Sequence, residues 1–181
     1  MSSHATQTQE RDLVREQTVD AAEFRRHVSR FATGVAVISC EDQDGTTHGA
    51  TVNSFVSLSL EPATVMVSLR PGRAHDIVRA TGNYGASILL DDQQHCSNHF
   101  ARARDGSLAP EFVKRTTVPT LKDCLAWFEC EVFEQVPVHD HMLFLARVTA
   151  CGSGDGAPLL FYASKYHARP TPVDPIVSER P

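Results

Sequence analysis

Gly49-Ala-Thr51-Val-Asn53-Ser54-Phe-Val-Ser57-Leu-Ser59-Leu-Glu-Pro62 is the stretch on which the fold turns. Its first half reads as a strand from Gly49 to Phe55, and the two-residue period of a strand puts Thr51 and Asn53 on one face. Ser54 falls on the other face unless the backbone bends there. Glu61-Pro62 then separates this strand from another over Thr64 to Leu69. Short polar groups gathered at the end of a strand suit the wall of a ligand cavity. An ordinary polar strand face is the plainer reading of the same residues.

Upstream, Asp20 and Glu23 stand at capping-box spacing before Phe24, Val28 and Phe31, which predicts a helix closed by Gly34. From Val35 to Cys40 the chemistry switches to a compact β-like run, followed by an Asp44-Gly45 turn. Downstream, Pro71-Gly72 breaks the chain before a short helix over His75 to Ala80, closed by Gly82. A strand over Tyr84 to Leu90 leads to a helix capped by Asp91 or Asp92 and running to Phe100. Residues 102–120 read as a long irregular loop with a helical turn. Strands over Trp127 to Phe133, Met142 to Ala150 and Leu159 to Ala163 complete the pattern. Many short strands with few helices and no βαβ rhythm point to a mainly β, antiparallel barrel with appended helices.

Composition sets the outer bounds. The chain has 181 residues, 41% hydrophobic and 22% charged, and a formal net charge of −5. That is about one domain, and the acidic balance disfavours nucleic acid or an anionic membrane as partner. Residues 1–19 read as a flexible lead-in, 20–168 as the folded domain and 169–181 as a proline-rich tail. Five cysteines without a Cys-x-x-Cys pair suggest free thiols in a reducing, cytoplasmic compartment, with neither a disulfide framework nor a zinc site. No signal sequence or membrane-spanning run is apparent.

Three stretches carry a family resemblance: Phe31-Ala-Thr-Gly34-Val-Ala-Val-Ile, the Gly49 to Pro62 segment, and Leu125-Ala-Trp-Phe-Glu-Cys130-Glu-Val followed by Asp140-His141. In this order and spacing, over roughly residues 22–168, the chain closely resembles the flavin reductase-like family, the reductase components of two-component flavin monooxygenases. The resemblance implies a Greek-key-like split β-barrel, assembled as a homodimer and binding FMN or FAD at or near the subunit interface. It also implies NADH or NADPH as hydride donor. No phosphate loop or Rossmann glycine fingerprint is present, as expected if flavin sits on a barrel.

Carried over onto this sequence, the resemblance assigns Thr51, Val52, Asn53, Ser54 and Ser57 to the flavin-binding wall. Arg73 and His75 follow Pro71-Gly72, where the family often places hydroxyl side chains on the flavin phosphate. Guanidinium and backbone amides at a helix start are a plausible substitute, and a solvated surface arginine is the alternative. Ser97, Phe100 and Ala101 look like the family's Ser-x-x-Phe-Ala segment against the flavin, though Phe100 is equally readable as core. Lys165 and Tyr166 resemble the closing strand that reaches the cofactor; a surface lysine and a core tyrosine are the alternative. The family's Gly-Asp-His motif reads His139-Asp140-His141 here. His141 is the candidate for positioning the nicotinamide, with Asp140 orienting its ring. His139 is expected to narrow the dinucleotide groove and to break any positive-φ turn that the glycine would serve. A polar turn without function is the alternative, and two histidines are too few ligands for a metal.

The implied activity is an NAD(P)H-dependent flavin reductase, in which hydride transfer needs no indispensable general acid or base and reduced flavin leaves for a partner monooxygenase. Two other readings remain open on sequence: a retained flavin acting on a small natural-product substrate, and a non-catalytic flavin- or haem-binding split barrel.

Overall fold

The computed structural model describes residues 19–101 and 109–168. The lead-in up to residue 18, the stretch 102–108 and the tail 169–181 lie outside the described residues. Asp20 opens helix α1 (Ala21–Val28), its carboxylate accepting from the Ala22 and Glu23 amides at 3.0 and 3.1 Å. The cap is the predicted one, but the helix stops at Val28 and Phe31 lies beyond it. None of its side chains is buried, so packing does not extend it.

A two-residue strand β1 (Thr33–Gly34) leads into β2 (Ala36–Glu41), whose residues Ala36 to Cys40 are all buried. Burial on both faces explains why this segment is an unbroken apolar run rather than an alternating one. A turn containing Gly45 at φ 79° returns the chain into β3 (Thr47–Val52). The predicted strand from Gly49 to Phe55 therefore ends early. Strand β4 (Val56–Leu60), absent from the sequence expectation, pairs with β5 (Ala63–Leu69) across the cis Glu61–Pro62 bond.

Helix α2 (Arg73–Thr81) ends on Gly82, whose left-handed φ of 71° lets its amide donate to Val78. After β6 (Asn83–Ile88), helix α3 runs over Gln94–Ala101. It starts later than an Asp91 or Asp92 cap would have it, because the Gln93 side chain bonds the Leu90 amide and the Asp123 carbonyl instead. The expected loop contains a hairpin of β7 (Phe112–Lys114) and β8 (Pro119–Leu121). Two long strands, β9 (Ala126–Val138) and β10 (His141–Ser153), and a small hairpin of β11 (Leu160–Tyr162) and β12 (Lys165–His167) follow.

The main sheet is antiparallel, in the order β3-β2-β6-β9-β10-β5-β4. Ser54, just past the edge strand β3, reaches back to β5 near the other end of the sheet, its hydroxyl accepting from the Ser68 amide at 3.0 Å and donating to the Ser68 carbonyl at 3.1 Å. The sheet thus curls round one core of Ile38, Val67, Val78, Tyr84 and Phe144, which α2 helps to cover. Its other face carries a second core of Val37, Leu89, Leu121 and Leu159, with Phe100, Phe161 and Tyr166 packed against it. Ile38 and Val37 go to different cores, as the strand period requires. No described helix is long and apolar enough to cross a membrane.

Candidate functional site

The bend after β3, at Asn53, makes the site. There β3 stops laddering, and the chain leaves a cavity of about 530 Å³ between the end of β3, the end of β5 and the start of α2. Residues 48–54 and 68–75 line it, with Phe100, Ala101 and His141. Of the residues named from the sequence, Thr51, Val52, Asn53, Ser54, Arg73, His75, Phe100, Ala101 and His141 line this one cavity.

The wall is held from behind. The Thr51 hydroxyl donates to the Ser97 carbonyl at 2.7 Å, and the Ser97 hydroxyl pairs with the Tyr166 hydroxyl at 2.8 Å. Ser97 is fully buried, so Ser97 and Tyr166 support the wall without lining it. Gly49 lies under the Phe100 ring so closely that a Cβ there would sit 2.8 Å from it. The missing side chain lets an aromatic face close this side of the cavity.

One end is cationic and rich in amides. Gly72 begins α2 without a side-chain cap, and the first-turn residues Arg73, Ala74 and His75 line the cavity. Their amides belong to the set that a helix leaves unpaired within itself. The Arg73 Nη2 donates to Asp42 Oδ2 at 2.9 Å, and His48 Nε2 meets the same oxygen at 2.9 Å. Asp42 Oδ1 accepts from the Asp44 and Thr46 amides at 3.1 and 3.0 Å. The hydrogen bonds from His48 and then Arg73 hold the Asp42 carboxyl far below the usual carboxylate range, outweighing its burial. The His75 ring lies edge-on to Phe144, and its Nδ1 pairs with Asp76 at 2.8 Å, so that nitrogen is already engaged.

The opposite rim is the turn between β9 and β10. His141 Nδ1 lies 2.8 Å from Asp140 Oδ1, and Asp140 Oδ2 lies 3.6 Å from Arg70 Nη2. His141 above all, and Arg70, draw the Asp140 carboxyl below its ordinary value. His139 adopts φ 50°. The turn that a histidine was expected to break is therefore kept, with the histidine in a conformation that favours glycine.

Two expected wall residues lie elsewhere. The chain has turned away by Ser57, which lines a separate hollow of about 340 Å³ with Phe31 and Val56. Lys165 is exposed at the start of β12 and is not part of the cavity lining. Asp42, His48 and Ser68 were missed as site residues. The Asp44-Gly45 turn was the available signal for the first two, because the β2–β3 register it sets pairs Cys40 with His48 beside Asp42.

A protein-family model described as a flavin reductase like domain matches residues 28–169. The chain is 49% identical over 160 residues to the NADH-dependent flavin reductase StyB of Pseudomonas fluorescens, covering 86% of this chain and 94% of that protein. It is 40% identical over 149 residues to an NADH-dependent flavin reductase of Rhodococcus sp, covering 80% of this chain and 84% of that one. Among solved structures, the styrene monooxygenase flavin reductase from Pseudomonas putida S12 superposes with a TM-score of 0.79 at 49% identity, over 83% of this chain and 99% of that chain.

Proposed function

The chain belongs to the flavin reductase-like domain family, and from that premise we propose that it is an NADH-dependent flavin reductase that passes reduced flavin to a partner monooxygenase. The observation that carries the reading is the two-ended cavity. Val52, Leu69 and the Phe100 ring offer apolar wall for a fused ring system, while Arg73 and the first amides of α2 offer anion donors at one end. That donor set fits a planar heterocycle bearing a phosphate, whether FMN or FAD.

When bound, flavin supplies a redox ring that accepts hydride from NADH. The chain's own residues bind and orient. The backbone from Thr51 to Ser54 borders the ring's polar edge, Gly72 to Ala74 and Arg73 hold the phosphate, and His141 positions the nicotinamide. Asp140 takes the His141 Nδ1 and leaves Nε2 as the free nitrogen. No side chain is required to take or give a proton at the reacting atoms. The cavity is open, which suits a flavin that must leave.

The protein acts as a split-barrel homodimer in this proposal. Every residue of the edge strand β4 is exposed, and Phe31 and Val56 share one hollow, an arrangement that a second copy would cover.

Titration with FMN and FAD, each followed by anaerobic NADH and then NADPH, tests the reading. Flavin uptake at micromolar concentration and its bleaching by NADH are expected. Tight flavin that NADH does not reduce would favour a flavin enzyme acting on a small organic substrate, and no uptake would end the proposal. His141→Ala is expected to raise the KM for NADH several-fold with little change in kcat. Unchanged dinucleotide kinetics would remove His141 from its role.

A further inference from the structure

Asp42 is wired beyond what its turn needs. Its Oδ1 accepts the Asp44 and Thr46 amides, which is enough to build the β2–β3 turn. Its Oδ2 reaches out of the turn to two cavity-lining side chains on different elements, His48 on β3 and Arg73 on α2, each at 2.9 Å. The two ends of the ion pair differ in exposure: the Asp42 side chain is 11% exposed and the Arg73 side chain 64%. The anchor is fixed, while the arginine would otherwise range over many rotamers. Among the described residues only the Nη2 nitrogen of the guanidinium is engaged, which leaves Nε and Nη1 for a ligand.

We propose that Asp42 is a positioning residue for flavin recognition: by pinning Arg73 across the gap between the β2–β3 turn and α2, it presents the guanidinium to the flavin phosphate. The inference rests on the placement of the phosphate proposed above. An ion pair this exposed on its arginine side adds little to stability, so its value lies in aiming Arg73. Asp42 acts only through Arg73 and touches no reacting atom.

Binding of riboflavin, which lacks the phosphate, separates aiming from mere structure. Equilibrium Kd values for FMN and riboflavin are measured by fluorescence on the whole protein and on D42N, R73A and the double variant. Asp42→Asn retains an acceptor for the turn amides, and Asp42→Ser, whose hydroxyl can also serve a turn, guards against a folding artefact in the first variant. D42N and D42S are expected to weaken FMN on the order of tenfold while leaving riboflavin within about twofold. R73A should weaken FMN at least as much, and D42N added to R73A should have no further effect. If R73A erases the preference for FMN and neither Asp42 variant does, the role of Asp42 is refuted and the phosphate placement stands. If R73A leaves the preference intact, the placement itself is wrong and the proposal falls with it. Equal loss of FMN and riboflavin would show a structural role only. Tighter FMN binding would show that the carboxylate competes with phosphate for the guanidinium. Either result overturns the proposal.

Discussion

Glu129 shows what a single buried carboxylate does for this fold. Its side chain lies in the interior of the protein, 1% exposed. One oxygen accepts from the Thr117 amide at 2.6 Å, the Thr117 hydroxyl at 3.0 Å and the Val118 amide at 3.1 Å. Burial pushes its pKa up, but the hydrogen bonds from Thr117 and Val118 outweigh it and leave the carboxyl below its ordinary value of 4.5. In this way β9 fastens the approach to β8. Glu129→Ala orphans three donors and is expected to destabilise the protein by about 3 kcal/mol, with Glu129→Gln costing less because it keeps an oxygen. The sign with pH follows from the lowered value. The ionised carboxylate stabilises fully above about 4.5, and that contribution is lost as pH falls through its lower folded value. Urea unfolding of wild type and Glu129→Gln should therefore show a stability gap at neutral pH that closes on acidification below about 4.5. A gap constant with pH would contradict this account.

The β9–β10 hairpin poses its question at the scale of an element. Val138 and His141 pair directly, so His139 and Asp140 alone form the turn. Positive φ occurs at His139 and not at Asp140, the pattern of a turn whose first position favours glycine. His139→Gly is expected to stabilise the protein by about 1 kcal/mol and raise Tm by roughly 2–4 °C. Calorimetry showing an unchanged or lower Tm would contradict this.

Elements legible in the sequence were those whose local chemistry and burial agree. Val35 to Cys40 and Thr64 to Leu69 are rich in β-branched residues and largely buried, and Gly82 closes α2 where a left-handed cap is needed. Strand β4 was not legible because all of it is exposed on an edge, so burial imposes no pattern. The β7–β8 hairpin was missed because distant groups hold it: the Ser39 hydroxyl donates to the Pro119 carbonyl at 2.5 Å, and the Leu121 amide donates to the Ser87 hydroxyl at 2.9 Å. In the site, the Thr51–Ser54 segment, Phe100 and His141 could be found from motifs. Arg73 was named from its place after Pro71-Gly72 and the Asp44-Gly45 turn was a signal for Asp42 and His48, but their meeting exists only once a hairpin register and a helix start are brought side by side.

At the scale of the molecule, the homodimer proposed above gives the exposed apolar side chains a role. Phe31 is 75% exposed and Leu60 87%, side chains that such an interface would cover. Leu60→Glu is expected to shift the protein from dimer to monomer at micromolar concentration, read by sedimentation velocity. A wild-type protein that sediments as a monomer would refute the assembly. The hydroxyl of Ser54 has a different consequence for the whole. Where a row of amide pairs would have sealed the wall, the Ser54 hydroxyl bridges from the end of β3 to β5. Beyond that point the wall borders an open cavity. A courier that must take on and give up its cargo at each cycle is served by a doorway that needs no hinge.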